Sequence, residues 1–204
     1  MHNRKEHWDK VYTEKNPDEV SWYQKRPLLS LELIHRCHPQ KSSAIIDVGG
    51  GASSLVDELL LEGYQDLTVL DISAQSLQIA RQRLGNISEQ VVWLESDVTT
   101  FSPAADYFLW HDRAVFHFLT DEQDQQQYVE VLSKSVKAGG FVIIAAFAPG
   151  GPTQCSGLDI VQYDSEKLIK VLGAGFQLLE VESELHMTPA NKQQRFNYYR
   201  LFRQ

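Results

Sequence analysis

The chain has 204 residues, 43% of them apolar and 23% charged, the composition of a globular protein with a sizeable core and not of a disordered or fibrous one. Nineteen basic residues against 27 acidic ones leave a net charge of −8. With no Lys/Arg run, that balance argues against binding nucleic acid through its phosphates. The cysteines, Cys37 and Cys155, stand alone without zinc spacing, so neither a disulfide framework nor a metal site is expected. No apolar run approaches the ~20 residues of a membrane span. The polar opening from Met1 to Lys10 is unlike a secretory leader, and a cytoplasmic protein, monomeric or dimeric, is expected.

In chain order, a helix is expected to begin near Pro27, which suits a first helical turn. The apolar run Ala44-Ile45-Ile46-Asp47-Val48 predicts a first strand, and Ser54 to Glu62 a helix that stops at Gly63. Leu67 to Asp71 predicts a second strand. Ser73 reads as the cap of a helix through Leu77, Ala80 and Leu84, closed by Gly85. Val91 to Leu94 and Tyr107 to Trp110 read as the third and fourth strands. Thr120 and Gln123 match a capping box, opening a helix through Tyr128, Leu132 and Val136 to Lys137. Phe141 to Phe147 predicts a fifth strand, and Asp164 or Ser165 caps a further helix through Leu168 and Leu172. Near-continuous apolar strands alternating with helices predict an α/β fold, a Rossmann-like doubly wound sheet of mostly parallel strands. Phe176 to Glu182 and Phe196 to Phe202 have no helix between them, which predicts an antiparallel C-terminal hairpin.

Asp47-Val48-Gly49-Gly50-Gly51-Ala52-Ser53 joins the first strand to the first helix of this alternation. A glycine loop alone fits a tight turn as well as a ligand cradle. The dinucleotide pattern G-x-G-x-x-G is met at Gly49 and Gly51 but not at Ser54, which argues against a nicotinamide dehydrogenase. Three acids, Asp47, Asp71 and Asp97, fall at or just past three successive strand ends. There they line one crevice, where ligands bind in such sheets.

In these residues the chain resembles the class I S-adenosylmethionine-dependent methyltransferases over nearly its whole length. The resemblance implies a seven-stranded sheet and a single methyltransferase domain over 1–204, with a helical cap over 1–40 and a Rossmann-like core over 41–204. It implies S-adenosylmethionine as cofactor. The loop residues Asp47, Gly49, Gly50, Gly51 and Ser53 would then cradle its amino-acid part. Asp71, with Ile72 beside it, would hold the ribose, and Asp97 with Val98 would contact the adenine. His111 and Asp112 fall on the cofactor's side too, and Asp112 is a candidate partner for its ammonium. The opening from His7 to Tyr12 and from Ser21 to Gln24 looks like the branch that holds lysine methyltransferases of citrate synthase and elongation factor 1A. Where that branch often carries Asp-Lys-Gly, this chain reads Asp112-Arg113-Ala114, closer to small bacterial methyltransferases.

The acceptor is therefore expected to be a small molecule. A protein lysine is the alternative acceptor, and a non-catalytic cofactor-binding module the alternative function. Three stretches are expected on the acceptor side: Trp110 to His117, Ala148 to Tyr163 and His186 to Pro189. Methyl transfer from a sulfonium needs alignment first, and a base only for an acceptor that is protonated. Arg113, His117 and His186 are the candidate catalytic residues, proposed to converge above the methyl group. Each histidine fits a packed core or capping role as well.

Overall fold

A computed structural model describes residues 4–103 and 106–204. Met1 to Asn3, the start of the polar opening, and Ala104-Ala105 lie outside the described residues. The chain begins with two helices, α1 (Arg4–Glu14) and α2 (Leu28–Arg36). There follow β1 (Ile45–Val48), α3 (Leu55–Leu61), β2 (Leu67–Asp71), α4 (Ala74–Leu84), β3 (Val91–Glu95), β4 (Tyr107–Arg113), α5 (Glu122–Ser135) and β5 (Val136–Phe147). A short hairpin, β6 (Gln154–Cys155) and β7 (Leu158–Asp159), precedes α6 (Ser165–Leu172), β8 (Phe176–Met187) and β9 (Gln193–Arg203).

The main sheet has seven strands in the order β3-β2-β1-β4-β5-β9-β8. The five strands from β1 to β5 pair in parallel, and β9 runs antiparallel to both β5 and β8. Every residue of β1 and β2 is buried, as expected of strands covered on both faces. Alternate side chains feed two cores. Ile46, Val48, Trp110 and Ile144 meet Tyr128 and Leu132 of α5 and Leu168 of α6. Ile45, Leu109, Ile143 and Ala145 meet Leu33 and Ile34 of α2 and Leu55 and Leu59 of α3. Burying one such Leu or Ile contributes roughly 1.5–3 kcal/mol. The helix α2 thus packs into the same core as the central strands.

The caps follow the local chemistry. The Ser73 side chain accepts the Ser76 N–H, Asp164 accepts the Lys167 N–H, and Gly85 closes α4 at φ +58°. Two boundaries differ from expectation. The cap of α5 is Asp121, whose carboxylate accepts the Gln123 N–H at 2.8 Å, and not Thr120. The same helix ends at Ser135, because Val136 already pairs with Tyr107 in the sheet. In addition, β8 extends to Met187, which puts His186 on a strand and not in a loop.

Candidate active site

Two adjoining cavities open at the carboxyl ends of β1, β2 and β4. The first is lined by Asp71, Ile72, Asp97 and Val98 from the sheet side, by Trp8 and Tyr12 of α1, and by Phe118. The second is lined by Asp47, Gly50, Ser53 and His111, and by Tyr23 and Gln24 from the segment joining α1 to α2. Tyr12, Trp22, Val48, Gly49 and Arg113 border both.

The glycine loop is crowded rather than open. Gly49 has φ +68°, and a Cβ there would fall 2.0 Å from Val115 Cγ2. A Cβ on Gly50 would fall 2.2 Å from Asp47 Oδ2, and one on Gly51 2.0 Å from Ser76 Oγ and 2.6 Å from Asp71 Oδ2. Packed atoms do not approach so closely, so a side chain at Gly49 would displace Val115, one at Gly50 would displace Asp47, and one at Gly51 would displace Ser76 and Asp71. The glycines are there partly to make room for the acids.

Each acid is held differently. Asp47 Oδ1 accepts from His111 Nδ1 at 2.7 Å, and Asp47 Oδ2 is buried without a hydrogen-bond partner among the described residues. Asp71 accepts the Gly51 N–H at 3.0 Å on Oδ2 and the Ser73 N–H at 2.8 Å on Oδ1. Burial pushes its carboxyl up to about 6, against the pull of those two bonds. Asp97 Oδ1 accepts from the backbone and hydroxyl of Thr99, and its Oδ2 lies 3.6 Å from Arg4 Nη1. Ser53 turns its hydroxyl to the Leu55 N–H, at the entry of α3. Gly51 and Asp71 meet each other, so Gly51 lines neither cavity.

The helix α1 closes over the first cavity. Arg4 pairs with Asp124 and faces Asp97, Lys5 reaches Glu95 at 3.0 Å, and Asp9 accepts the Ser73 hydroxyl at 2.7 Å. Its Trp8 stands edge-on to both Trp22 and Phe118. The Tyr12 hydroxyl is pushed well above its ordinary value, first by burial and then by the charge of Asp71, so it stays a phenol.

The expected acceptor-side residues divide. Arg113 donates from Nε to the Tyr198 hydroxyl at 2.7 Å and from Nη1 to the Trp22 carbonyl at 2.8 Å. Its guanidinium lies 4.7 Å from the centre of the Phe196 ring. His117 and His186 also pack near that ring, at 6.3 and 6.2 Å between centroids, but neither lines either cavity. The convergence expected above a methyl group is instead a convergence on Phe196. The His117 ring is fully buried against Phe118, Phe147 and Phe196, with Nδ1 accepting the Phe147 N–H at 3.4 Å. Burial, and then Arg113, lower it to about 3. His186 donates from Nε2 to the Ser21 carbonyl at 2.8 Å and is likewise lowered by burial.

Asp112 is not a partner for the cofactor's ammonium. It is fully buried, lines neither cavity, and accepts from the Val115 and Phe116 N–H groups and the Tyr128 hydroxyl. It shapes the turn that follows β4, where Ala114 has φ +67°. Sequence reasoning missed Ser30, whose hydroxyl meets His111 Nε2 at 2.9 Å. The sequence offered only a lone hydroxyl in the stretch Leu28 to Ile34, which Glu32 also interrupts, with nothing to indicate its partner.

Known proteins share both the domain and the fold. Residues 46–142 match the model of a methyltransferase domain. The chain is 24% identical over 195 residues to human EEF1A lysine methyltransferase 2, an alignment covering 86% of this chain and 75% of that protein. Among solved structures, the N-methyltransferase NodS from Bradyrhizobium japonicum bound to S-adenosyl-L-homocysteine aligns with TM-score 0.69, 16% identity, and coverage of 94% and 97% of the two chains. The glycopeptide N-methyltransferase MtfA, complexed with S-adenosyl-L-homocysteine, aligns with TM-score 0.70, 12% identity and 96% coverage of each.

Residues 46–142 are a methyltransferase domain, and the chain is a methyltransferase with S-adenosylmethionine as its cofactor. The residues of this methyltransferase suit that cofactor. Asp47 Oδ2 in the second cavity, buried and without a partner among the described residues, matches an ammonium donor, and Asp71 in the first has lone pairs left for hydroxyls. The methyltransferase is closed around these cavities by its own N-terminal segment. Among the described residues, no helix is long and apolar enough to cross a membrane.

Proposed function

We propose that this methyltransferase acts on a compact small-molecule acceptor, received where the two cavities meet, between Trp22, Tyr12 and Arg113. The observation that carries this reading is the bond from Arg113 Nη1 to the Trp22 carbonyl, which draws the segment joining α1 and α2 across the junction. An acceptor there sits beneath the chain's own N-terminal segment, a space suited to a metabolite rather than to a residue on a folded protein surface.

Asp47, Gly49, Gly50 and Ser53 would hold the amino-acid part of S-adenosylmethionine, with Asp71 and Ile72 at the ribose and Asp97 and Val98 at the adenine. The bound cofactor supplies an electrophilic methyl group on a sulfonium. The protein's part is alignment and exclusion of water. Trp8, Trp22 and Phe118 form an apolar wall, which strengthens the field of the buried acids on a cationic sulfur. Tyr12 and Arg113 are the titratable groups bordering both cavities. A phenol held above its ordinary range and a guanidinium are both poor bases, so the acceptor suited to the site is nucleophilic without assistance.

A protein lysine is the second reading, favoured by the 24% identity to human EEF1A lysine methyltransferase 2. The test supplies methyl-labelled cofactor to the enzyme with a cell extract split by ultrafiltration. Label in a low-mass product separated chromatographically from the cofactor, and lost with Arg113→Ala, supports a small acceptor. Label retained on protein and recovered as methyl-lysine after hydrolysis overturns it.

A further inference from the structure

A three-residue chain of hydrogen bonds runs beneath the second cavity. Asp47 lies opposite His111 in the register of β1 and β4, which places the two side chains on one face of the sheet. Asp47 is a carboxylate and only accepts, so His111 Nδ1 carries the proton of their 2.7 Å bond. On the other side of the ring, Nε2 shares a hydrogen bond with the Ser30 hydroxyl at 2.9 Å, a group able both to donate and to accept. All three residues are buried: Ser30 at 0%, His111 at 2% and Asp47 at 4% exposure. All three border the second cavity.

We propose that Ser30 and His111 are positioning residues for the cofactor's amino-acid end: they pin Asp47 through Oδ1 so that Oδ2 stays free to receive an ammonium. A carboxylate side chain has several rotamers, and a buried carboxylate oxygen is usually hydrogen-bonded. Here one oxygen is claimed by an imidazole whose own orientation is fixed from α2. The other oxygen lies over Gly50, in space that a Cβ would fill. The hydroxyl comes from the helix preceding β1, which packs into the core through Leu33 and Ile34. The seating of α2 is thereby coupled to the geometry of Asp47.

The inference rests on S-adenosylmethionine as cofactor and is independent of the acceptor, so its test omits any acceptor. Two ligands are titrated by calorimetry: S-adenosylhomocysteine, and 5′-methylthioadenosine, which has the same nucleoside thioether but lacks the ammonium and carboxylate. Ser30→Ala should weaken S-adenosylhomocysteine by roughly three- to tenfold, and His111→Leu by roughly tenfold or more, the scale of losing orientation in a charge-assisted hydrogen bond. Methylthioadenosine should bind both variants within about twofold of the parent, which also reports that the cavities are intact. His111→Asn keeps a donor near the Nδ1 position and should recover most of the affinity lost with Leu. Equal weakening of both ligands assigns the chain of bonds a purely structural role and overturns the proposal. So does unchanged affinity for S-adenosylhomocysteine in Ser30→Ala and His111→Leu.

Discussion

With Asp71 at the ribose, as proposed, cofactor binding depends on pH in a calculable way. Its carboxyl is raised from an ordinary 3.8 to about 6, chiefly by burial. A ribose diol donates to the ionised form, so the protonated form must lose its proton before the cofactor is held there. One pH unit below 6, roughly a tenth of the molecules carry the carboxylate, and affinity for S-adenosylhomocysteine should be about tenfold weaker than at neutrality, or ~1.4 kcal/mol. Folding has the same group and the opposite sense. The raised value means that Asp71's contribution to stability is fully present below pH ~4 and is lost as pH rises through about 6. At neutral pH the ligand-free fold therefore carries the cost of a buried charge, about 3 kcal/mol as an order of magnitude. The assay is calorimetric titration from pH 5 to 8, in two buffers of different ionisation enthalpy to count protons released. Asp71→Asn should bind weakly at every pH, with a flat profile and no proton release between 5 and 6.5. An affinity for the parent enzyme that is constant from pH 5 to 7 would refute the assignment of Asp71 to the ribose.

Other substitutions probe the loop, the lid helix and the turn after β4. Gly49→Val should abolish measurable cofactor binding, because its Cβ would meet Val115 Cγ2 at 2.0 Å and φ +68° is strained for a β-branched residue; calorimetry on the folded variant checks it. Arg4→Ala with Lys5→Ala should raise the cofactor's Kd several-fold and speed its release at low salt. The difference should shrink by 0.5 M salt, since both side chains are partly exposed, and stopped-flow tryptophan fluorescence would follow it. Tyr128→Phe removes the hydroxyl that links Trp110 Nε1 to Asp112 Oδ2. It should lower stability by about 1–3 kcal/mol in urea unfolding, with cofactor affinity within about twofold.

The strand ends were legible because they obey one rule. Asp47 and Asp71 sit where apolar runs stop, and a parallel sheet brings such ends to one edge. The directions of side chains after β4 were not legible. The string from Trp110 to Phe118 runs three polar residues, His111 to Arg113, into three apolar ones, Ala114 to Phe116, and its chain direction changes at Ala114, where φ is +67°. Alternation assigns faces only while the strand lasts. Beyond that turn, His117 falls inward and Phe118 toward the cavity, the reverse of what polarity alone suggests. Asp112 shows the same limit from the other side. A buried acid with three donors around it looks in sequence like a ligand-binding acid, since its donors are two backbone groups and a Tyr128 hydroxyl 16 residues away. Ser30 was hidden because its partner lies 81 residues further along the chain.

His117 offers a test of this distinction between packing and chemistry. If it were a general base, replacing it would lower turnover by ~10²–10⁴-fold. The structure points elsewhere. Its ring is enclosed by three aromatic rings, its Nδ1 is engaged by the Phe147 N–H, and its basicity is depressed from 6.5 to about 3. Such a group stays neutral in the folded enzyme throughout the physiological range, while in the unfolded chain it takes up a proton below pH ~6.5. A depressed value means that stability is present above pH 6.5 and is lost as pH falls toward about 3. The loss runs at ~1.4 kcal/mol per pH unit. This is opposite in sense to Asp71 and Asp112, so wild-type stability alone cannot isolate it, but the difference between wild type and His117→Leu can. The variant should unfold at lower urea at pH 8, because the Phe147 N–H loses its acceptor at a cost of about 1–3 kcal/mol. It should then close that gap as the pH is lowered from 6.5 to 4.5, having no buried imidazole to protonate. Its turnover, once an acceptor is in hand, should stay within a few-fold of the parent. A hundredfold loss of turnover with a pH-independent stability gap would mean that His117 does chemistry from a position the present geometry does not provide.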